Sequence, residues 1–191
     1  MTEKRNSREL LIETASKLFR IRGYYGVGLK DILNESGVPK GSLYHYFPNG
    51  KEELAIEAIN HTRALVIKDI QAKLDEVADP IEAIQAHILQ LSEIFSESDN
   101  LLGVPIGTIA AETYSTCEPI RIVCQSAFEN WQSLYSKKLL EAGYSEKQSK
   151  ELSIVINALI EGGIIYSQTS NSGEPLRVIA SKIPLLLKKN D

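Results

Sequence analysis

The sequence predicts an all-α protein of about nine helices, with an N-terminal three-helix head of the helix-turn-helix type and a helical body behind it. Apolar residues recur at helical spacing along most of the 191 residues, and strand-like alternation is scarce. Charge also divides the chain, because residues 1–51 hold nine Lys or Arg against five Asp or Glu, whereas residues 52–191 hold twelve against twenty. This asymmetry indicates a basic head on an acidic body, and we place the two domains at residues 1–60 and 61–191.

Three short helices are predicted in the head. Residues 7–22 have a regular apolar face, and Gly23 stops the helix. Residues 29–36 form a second helix, which ends at Gly37. Residues 39–46 form a third, with proline in the first turn, where a missing N–H costs nothing.

Six further helices are predicted, the first of them at about residues 51–76, and the domain boundary falls inside this long helix. Asp79-Pro80, Ser145 and Pro175 are start signals for later helices, because Asp and Ser cap exposed N–H groups and proline suits a first turn. The later helices are expected at about residues 80–96, 105–115, 119–141, 146–169 and 175–188, with a polar loop at 97–100.

A glycine turn joins the second and third helices. Ser36-Gly37-Val38 allows a left-handed conformation, so that the two helices can pack at a steep angle. In a helix-turn-helix, the second of these helices enters the major groove of DNA. The predicted core of the head consists of Leu11, Leu18, Phe19, Ile32, Leu33, Val38, Leu43 and Phe47.

The third helix carries side chains that suit DNA contact. Lys40 places a cation near its start, Gly41 lets the backbone approach closely, and Ser42 can donate to a phosphate or a base edge. Tyr44 and His45 offer polar tips on flat apolar bodies. Helical periodicity alone is equally compatible with three packed helices that do not bind DNA. The charge asymmetry favours DNA binding.

The segment GYYGVGLKDILNESGVPKGSLYHYF, residues 23–47, resembles the DNA-binding head of TetR-type transcriptional regulators. The following FPNGKEEL is one residue longer than the commonest form in that family, and in this it resembles the LmrA/YxaF subgroup. Tyr46 stays open between the edge of the core and the phosphate backbone. The resemblance implies DNA contacts by Gly28, Lys30, Lys40, Gly41, Ser42, Tyr44, His45, Tyr46 and Lys51.

The start of the second helix departs from the family pattern. The family usually has Thr or Ser there, and this chain has Val27 and Gly28. Gly28 can cap through its backbone but offers no hydroxyl to a phosphate. The side chains that could compensate are those of Tyr24, Tyr25 and Lys30.

The resemblance also implies a function. It implies a cytoplasmic, homodimeric repressor that binds a palindromic operator in double-stranded DNA and is released by a small effector. The body would then be a ligand-binding and dimerisation domain, as in the TetR fold. The implied effector is flat and hydrophobic, flavonoid- or drug-like, and neither a cofactor nor a membrane is implied as a partner.

The last two predicted helices have apolar faces that suit a dimer interface. Gly162-Gly163 interrupts the first of them, although glycine within a helix costs about 1 kcal/mol relative to alanine. Close helix approach accounts for the pair, and a glycine kink beside a pocket is the alternative. The expected interface consists of Ile156, Leu159, Gly162, Gly163, Tyr166, Ile179 and Ile183.

Aromatic residues concentrate in the middle helices around Trp131, the one tryptophan of the chain. Apolar cavities with few polar groups suit flat, poorly soluble ligands, although each such residue taken alone also fits a plain core. The expected pocket lining is Phe95, Ile106, Tyr114, Cys117, Phe128, Trp131 and Tyr135, with His87 and Gln90 as polar anchors.

The sequence argues against an enzyme, a metal site and a membrane span. His45, His61 and His87 have no partner at metal-ligand spacing, and no nucleophile elbow, Walker loop or dinucleotide motif occurs. No apolar run is long enough to span a bilayer, and no signal peptide is visible. Cys117 and Cys124 are expected to be core thiols.

Two other binding functions remain as alternatives. One is a helical DNA-binding protein that responds to a partner protein instead of a small molecule, and a body without a cavity would favour it. The other is a plain helical interaction module, which the residues from Lys40 to His45 disfavour.

Overall fold

The computed structural model describes residues 6–95 and 106–188, and within those ranges it contains nine α-helices and no strand. The all-α prediction is therefore confirmed. The predicted loop at 97–100 lies outside the described residues. The helices are α1 (Ser7–Arg22), α2 (Leu29–Ser36), α3 (Lys40–Tyr46), α4 (Lys51–Glu76), α5 (Pro80–Ile94), α6 (Gly107–Thr113), α7 (Glu118–Glu141), α8 (Glu146–Ser170) and α9 (Glu174–Leu186).

Side-chain caps set several of the helix starts. Asp79 Oδ1 accepts the N–H groups of Ile81 and Glu82, each at 2.9 Å, at the start of α5. At the start of α8, Ser145 Oγ accepts the N–H of Gln148 at 3.2 Å, and Gln148 Oε1 accepts the N–H of Ser145 at 3.1 Å. Each cap satisfies N–H groups that have no partner inside the helix, so the predicted starts of both helices are confirmed.

The chain divides into two compact units. Unit one contains the described residues of Met1–Ala64 and Leu102–Ala127, and unit two contains those of Leu65–Leu101 and Phe128–Asp191. The helices α4 and α7 each have their first part in unit one and their last part in unit two. Unit one thus includes α6 in addition to the head, and the division at residue 60 into two domains stays a prediction.

The core of the head is the predicted one. Leu11, Phe19, Ile32 and Leu43 are fully buried, and the other predicted core residues are also buried except Leu33, which is half-buried. A buried hydrogen bond of 2.7 Å between the hydroxyls of Ser16 and Thr62 links α1 to α4. The apolar periodicity of α1 to α3 therefore identified the side chains that hold α3 in place.

Unit two is built around the packing of α9 against α5 and α8. Leu176, Ala180 and Ile183 of α9 are buried there, and Gln85 Nε2 of α5 donates to the carbonyl oxygen of Ala180 at 2.9 Å. Gly163 of α8 lies directly against α9, because a Cβ at this position would stand 2.6 Å from Ile179 Cδ1. Close helix approach within the subunit therefore explains Gly163.

Replacing Gly163 with alanine is expected to lower stability, and Gly162→Ala is the matched control. A Cβ at position 162 would meet nothing within 4 Å. Both variants gain the same helix propensity, but only Gly163→Ala overpacks the contact with α9, at a cost of about 1–3 kcal/mol. Urea unfolding of both at one protein concentration should show Gly163→Ala to be the less stable, and equal midpoints would contradict this.

No helix among the described residues combines the length and the apolar character needed to cross a bilayer.

Candidate nucleic-acid interface and ligand site

The turn between α2 and α3 has the predicted geometry. Gly37 adopts a left-handed conformation with φ 66°, and its N–H donates to the carbonyl oxygen of Leu33 at 2.9 Å. Leu43 and Phe47 are buried and hold α3 on the head core. The N-terminal half of α3 is therefore presented at the surface of the head, as a recognition helix requires.

The outer face of α3 carries the predicted contact residues. Lys40, Gly41, Tyr44 and His45 are exposed, and Ser42 is half-buried. The Lys40 ammonium lies 5.8 Å from the centre of the Tyr44 ring, which places a cation and an aromatic face side by side. A Cβ at Gly41 would meet nothing within 4 Å, so the packing of the subunit does not require glycine there.

Tyr46 takes an intermediate position at the end of α3. Its ring is half-buried and meets the ring of His45 edge to face, with 5.0 Å between the centroids. The side chain therefore lies at the edge of the core, next to an exposed imidazole.

The start of α2 provides backbone groups instead of a hydroxyl. Gly28 is the N-cap residue, and its N–H donates to Asp31 Oδ2 at 2.8 Å. Lys30, two residues after the cap, is exposed. The start of α2 therefore carries the ammonium of Lys30 and the carboxylate of Asp31. It has no side-chain hydroxyl, as the sequence indicated.

Lys51 sits at the first turn of α4 and packs on the head. Its ammonium lies 4.2 Å from the centre of the Tyr24 ring. Burial lowers the pKa of the Lys51 ammonium, and the carboxylates of Glu112 and Asp31 act in the opposite direction. The cation–π contact orients this lysine at the N-terminus of α4, where a phosphate is favoured.

The Tyr25 hydroxyl has a hydrogen-bond partner within the protein. It lies 2.7 Å from Thr116 Oγ1, and the Tyr25 N–H donates to Glu112 Oε2 at 3.0 Å. A Cβ at Gly23, which has φ 72°, would overlap the Glu112 carboxylate. From the sequence, Gly23 was interpreted only as the end of α1. The hydrogen bond that joins the turn after α1 to Glu112 of α6 was not predicted.

Cys117 belongs to the same contact between the head and the later helices. Its Sγ lies 3.3 Å from Glu52 Oε2 of α4. Burial is the largest cause that raises the pKa of the Cys117 thiol, and the Glu52 carboxylate raises it further, so the reactive thiolate is disfavoured. Cys124 is buried as expected, whereas Cys117 is only half-buried and is not a core thiol.

A polar network in unit two runs from the buried side chains of Tyr135 and His87 to Asp69, whose side chain is 44% exposed. The Tyr135 hydroxyl is 3.1 Å from His87 Nδ1, and His87 Nε2 is 3.7 Å from Asp69 Oδ2. Gln90 Nε2 donates to Asp69 Oδ1 at 3.1 Å. The His87 imidazole is the main cause that lowers the pKa of Asp69. With Nε2–H turned to that carboxylate, Nδ1 accepts the tyrosine hydroxyl.

The other predicted pocket residues divide between the two units. Phe95 is half-buried at the end of α5, and Phe128 is half-buried with its ring 5.6 Å from that of Trp131. Ile106 is buried in unit one. Tyr114 is 67% exposed and therefore does not line an enclosed pocket, because its side chain faces solvent.

The predicted dimer face is corrected at two positions. The side chains of Ile156 and Ile183 are fully buried in the subunit's own core, so they are not available to a second chain. Leu159 and Tyr166 are exposed, and they line an apolar groove of about 620 Å³ between α8 and α9 together with Gly162, Gly163 and Ile179.

Among residues 6–95 and 106–188, no group of three or more His, Cys, Asp and Glu side chains is placed to hold a metal ion.

Two families match the chain. Residues 11–58 match the bacterial regulatory proteins of the tetR family. Residues 80–182 match the C-terminal domain described as transcriptional regulator LmrA/YxaF-like. The first match covers the helices of the head, and the second covers most of α5 to α9.

Relatives from Bacillus subtilis (strain 168) are similar over nearly their whole length. The HTH-type transcriptional regulator LmrA is 47% identical over 184 residues, which are 96% of this chain and 98% of the relative. The uncharacterized HTH-type transcriptional regulator YxaF is 46% identical over 189 residues, which are 99% of each chain.

A solved structure confirms the fold. The reduced form of Escherichia coli NemR, a relative described as an HTH-type transcriptional repressor, is 26% identical and superposes with a TM-score of 0.83 over 94% of this chain and 95% of that one. The chain therefore belongs to the TetR family of transcriptional regulators and, within that family, to the LmrA/YxaF-like group.

Proposed function

We propose that this regulator is a homodimeric repressor that binds a palindromic operator through α3 and leaves it when a small, flat, hydrophobic effector enters unit two. The observation that carries the proposal is the outer face of α3. Lys40, Gly41, Tyr44 and His45 lie together at the surface and are not needed for the packing of the head.

The dimer is supported by apolar surface that one subunit leaves uncovered on α8 and α9. Its members include Leu159, Tyr166 and Val178, which line or border the groove. A contiguous apolar surface of this kind marks an interaction site. A second copy is the occupant that DNA binding requires, because two recognition helices must reach successive major grooves roughly 34 Å apart.

The response to an effector is supported by the continuity of one helix along the chain. The helix α4 begins beside the head at Lys51 and continues into unit two, where it carries Asp69 of the polar network. A ligand can shift such an equilibrium only by its difference in affinity for the two states, commonly about 1–3 kcal/mol of coupling.

Fluorescence anisotropy with the DNA upstream of the gene for this chain tests the proposal. We expect saturable binding of a palindromic fragment by the dimer at moderate salt, with scrambled DNA of equal length bound at least about 10³-fold more weakly. Equal binding of both fragments by folded dimer would count against an operator-specific repressor.

A further inference from the structure

An aromatic ring and a lysine from two different elements of the head face each other. Tyr24 lies in the turn between α1 and α2, and Lys51 is the first residue of α4. The Lys51 ammonium lies 4.2 Å from the centre of the Tyr24 ring, well inside the distance of about 6 Å at which a cation is attracted to a ring face. Both side chains are half-buried, so the ring holds the cation without enclosing it.

The position of the Tyr24 ring is set by its neighbours and not by the lysine. The ring of Phe19, which is fully buried in the head core, lies 5.8 Å from the Tyr24 ring. The ring of Tyr25 meets it edge to face, with 5.2 Å between the centroids. Tyr25 is in turn joined to α6, because its N–H donates to Glu112 Oε2 at 3.0 Å. The ring therefore offers Lys51 a fixed face.

The ammonium of Lys51 forms no ion pair with a carboxylate within residues 6–95 and 106–188. Two carboxylates near it accept hydrogen bonds from elsewhere. Asp31 Oδ2 accepts the N–H of Gly28 at 2.8 Å, and Glu112 Oε2 accepts the N–H of Tyr25. A lysine ammonium has three N–H donors, and a contact with a ring face leaves donors for another acceptor. The charge of Lys51 thus stays available to an anion.

The place of this ammonium in the head is next to the predicted recognition helix. Gly50 N–H donates to the carbonyl oxygen of Phe47 at 2.9 Å, so a closed turn joins the end of α3 to Lys51. A long, free lysine side chain loses rotamer freedom when it binds a phosphate, and this loss opposes binding. A lysine that is already held on a ring loses less.

We propose that Tyr24 is a positioning residue for DNA binding, whose ring face holds the Lys51 ammonium in place before the DNA arrives, so that Lys51 can donate to a backbone phosphate. The inference rests on the proposed function and deepens it, because it names the side chain that orders one phosphate contact. It also gives Tyr24 a role that depends on its ring and not on its hydroxyl.

The test is a double-mutant cycle between the two positions, measured by fluorescence anisotropy on the operator fragment and on scrambled DNA. Tyr24→Leu removes the ring, Lys51→Ala removes the cation, and Tyr24→Phe keeps the ring face while it removes the hydroxyl. In a control cycle Lys17→Ala replaces Lys51→Ala, because Lys17 is an exposed lysine of α1 that pairs with Glu35 at 3.0 Å.

Tyr24→Leu should weaken the binding of operator and of scrambled DNA by the same factor, because a phosphate contact carries no sequence information. The expected factor is about 5- to 100-fold, since the cost of ordering one long side chain arises in both half-sites. The substitution should have no further effect in the Lys51→Ala background and its full effect in the Lys17→Ala background. Tyr24→Phe should bind as the wild type does.

Circular dichroism checks that each variant is folded. Tyr24→Met is the second variant without a ring, and it serves where leucine lowers the stability of the head. Methionine adapts to irregular space beside Phe19 and offers no ring face to a cation.

Three outcomes would overturn the inference. Additive effects of the substitutions at Tyr24 and Lys51 would show that the ring acts on packing and not through this lysine. Weaker binding by Tyr24→Phe would assign the role to the hydroxyl. Wild-type affinity in Lys51→Ala would show that there is no phosphate contact for Tyr24 to order. Failure of the wild-type protein to bind operator DNA would instead contradict the proposed function.

Discussion

Replacing Tyr166 with aspartate is expected to convert the dimer to monomers and to weaken specific operator binding strongly. Tyr166 is 71% exposed in the subunit and lines the apolar groove between α8 and α9, so the subunit itself does not need it. In a two-fold interface the aspartate occurs twice, and burying each unpaired charge costs several kcal/mol. Specific affinity should fall by about 10²- to 10⁴-fold, since two half-sites no longer act together.

Tyr114→Asp is the matched control for that experiment. Tyr114 is similarly exposed, at 67%, and does not line the groove between α8 and α9. Sedimentation velocity should report monomers for Tyr166→Asp and dimers for the control, and circular dichroism should show the same helix content in both. A Tyr166→Asp protein that remains dimeric would place the interface on another surface.

Replacing Lys40 with alanine should weaken operator binding by roughly 30-fold to 10⁴-fold, while stability changes little. The side chain is exposed, and its ammonium contacts the Tyr44 ring on the outer face of α3. A lost base contact costs about 1–3 kcal/mol, and the substitution occurs in both half-sites of the operator. Fluorescence anisotropy on operator and on scrambled DNA measures the change in affinity and in specificity.

Lys17→Ala is the control for this prediction, because Lys17 is an exposed lysine on α1 that pairs with Glu35 at 3.0 Å. It should bind operator as the wild type does. Lys51→Ala should have a different effect from Lys40→Ala. A lost phosphate contact weakens binding to all DNA sequences alike, and it lowers the slope of log affinity against log salt concentration by about one unit for each contact. If Lys40→Ala binds the operator as tightly as the wild type does, α3 is not the recognition helix.

Local chemistry made much of the fold predictable. The helices α1, α2 and α4 have the bounds expected from apolar spacing and from glycine stops, because capping and helix propensity act over a few residues. The turn at Gly37 and the exposure of Lys40 and Tyr44 were also predictable, since a short turn and a helical period determine which face of α3 remains outside.

Contacts between distant segments were not predictable in this way. The hydrogen bond from Tyr25 to Glu112 joins residues 87 positions apart, and no periodicity relates them. Tyr114 was expected to line the pocket, and it is exposed. Helical periodicity shows which residues of α6 share a face, but it does not show which face packs against the rest of unit one.

The sequence by itself determined the helix order, the outward face of α3 and the family. Only the tertiary structure decided that Gly163 serves packing within the subunit while Gly162 opens on the groove, and that Ile156 and Ile183 are core residues. The physical reason is the same in each case. A helical pattern specifies which side chains share a face, whereas the neighbour that covers that face depends on how the helices pack.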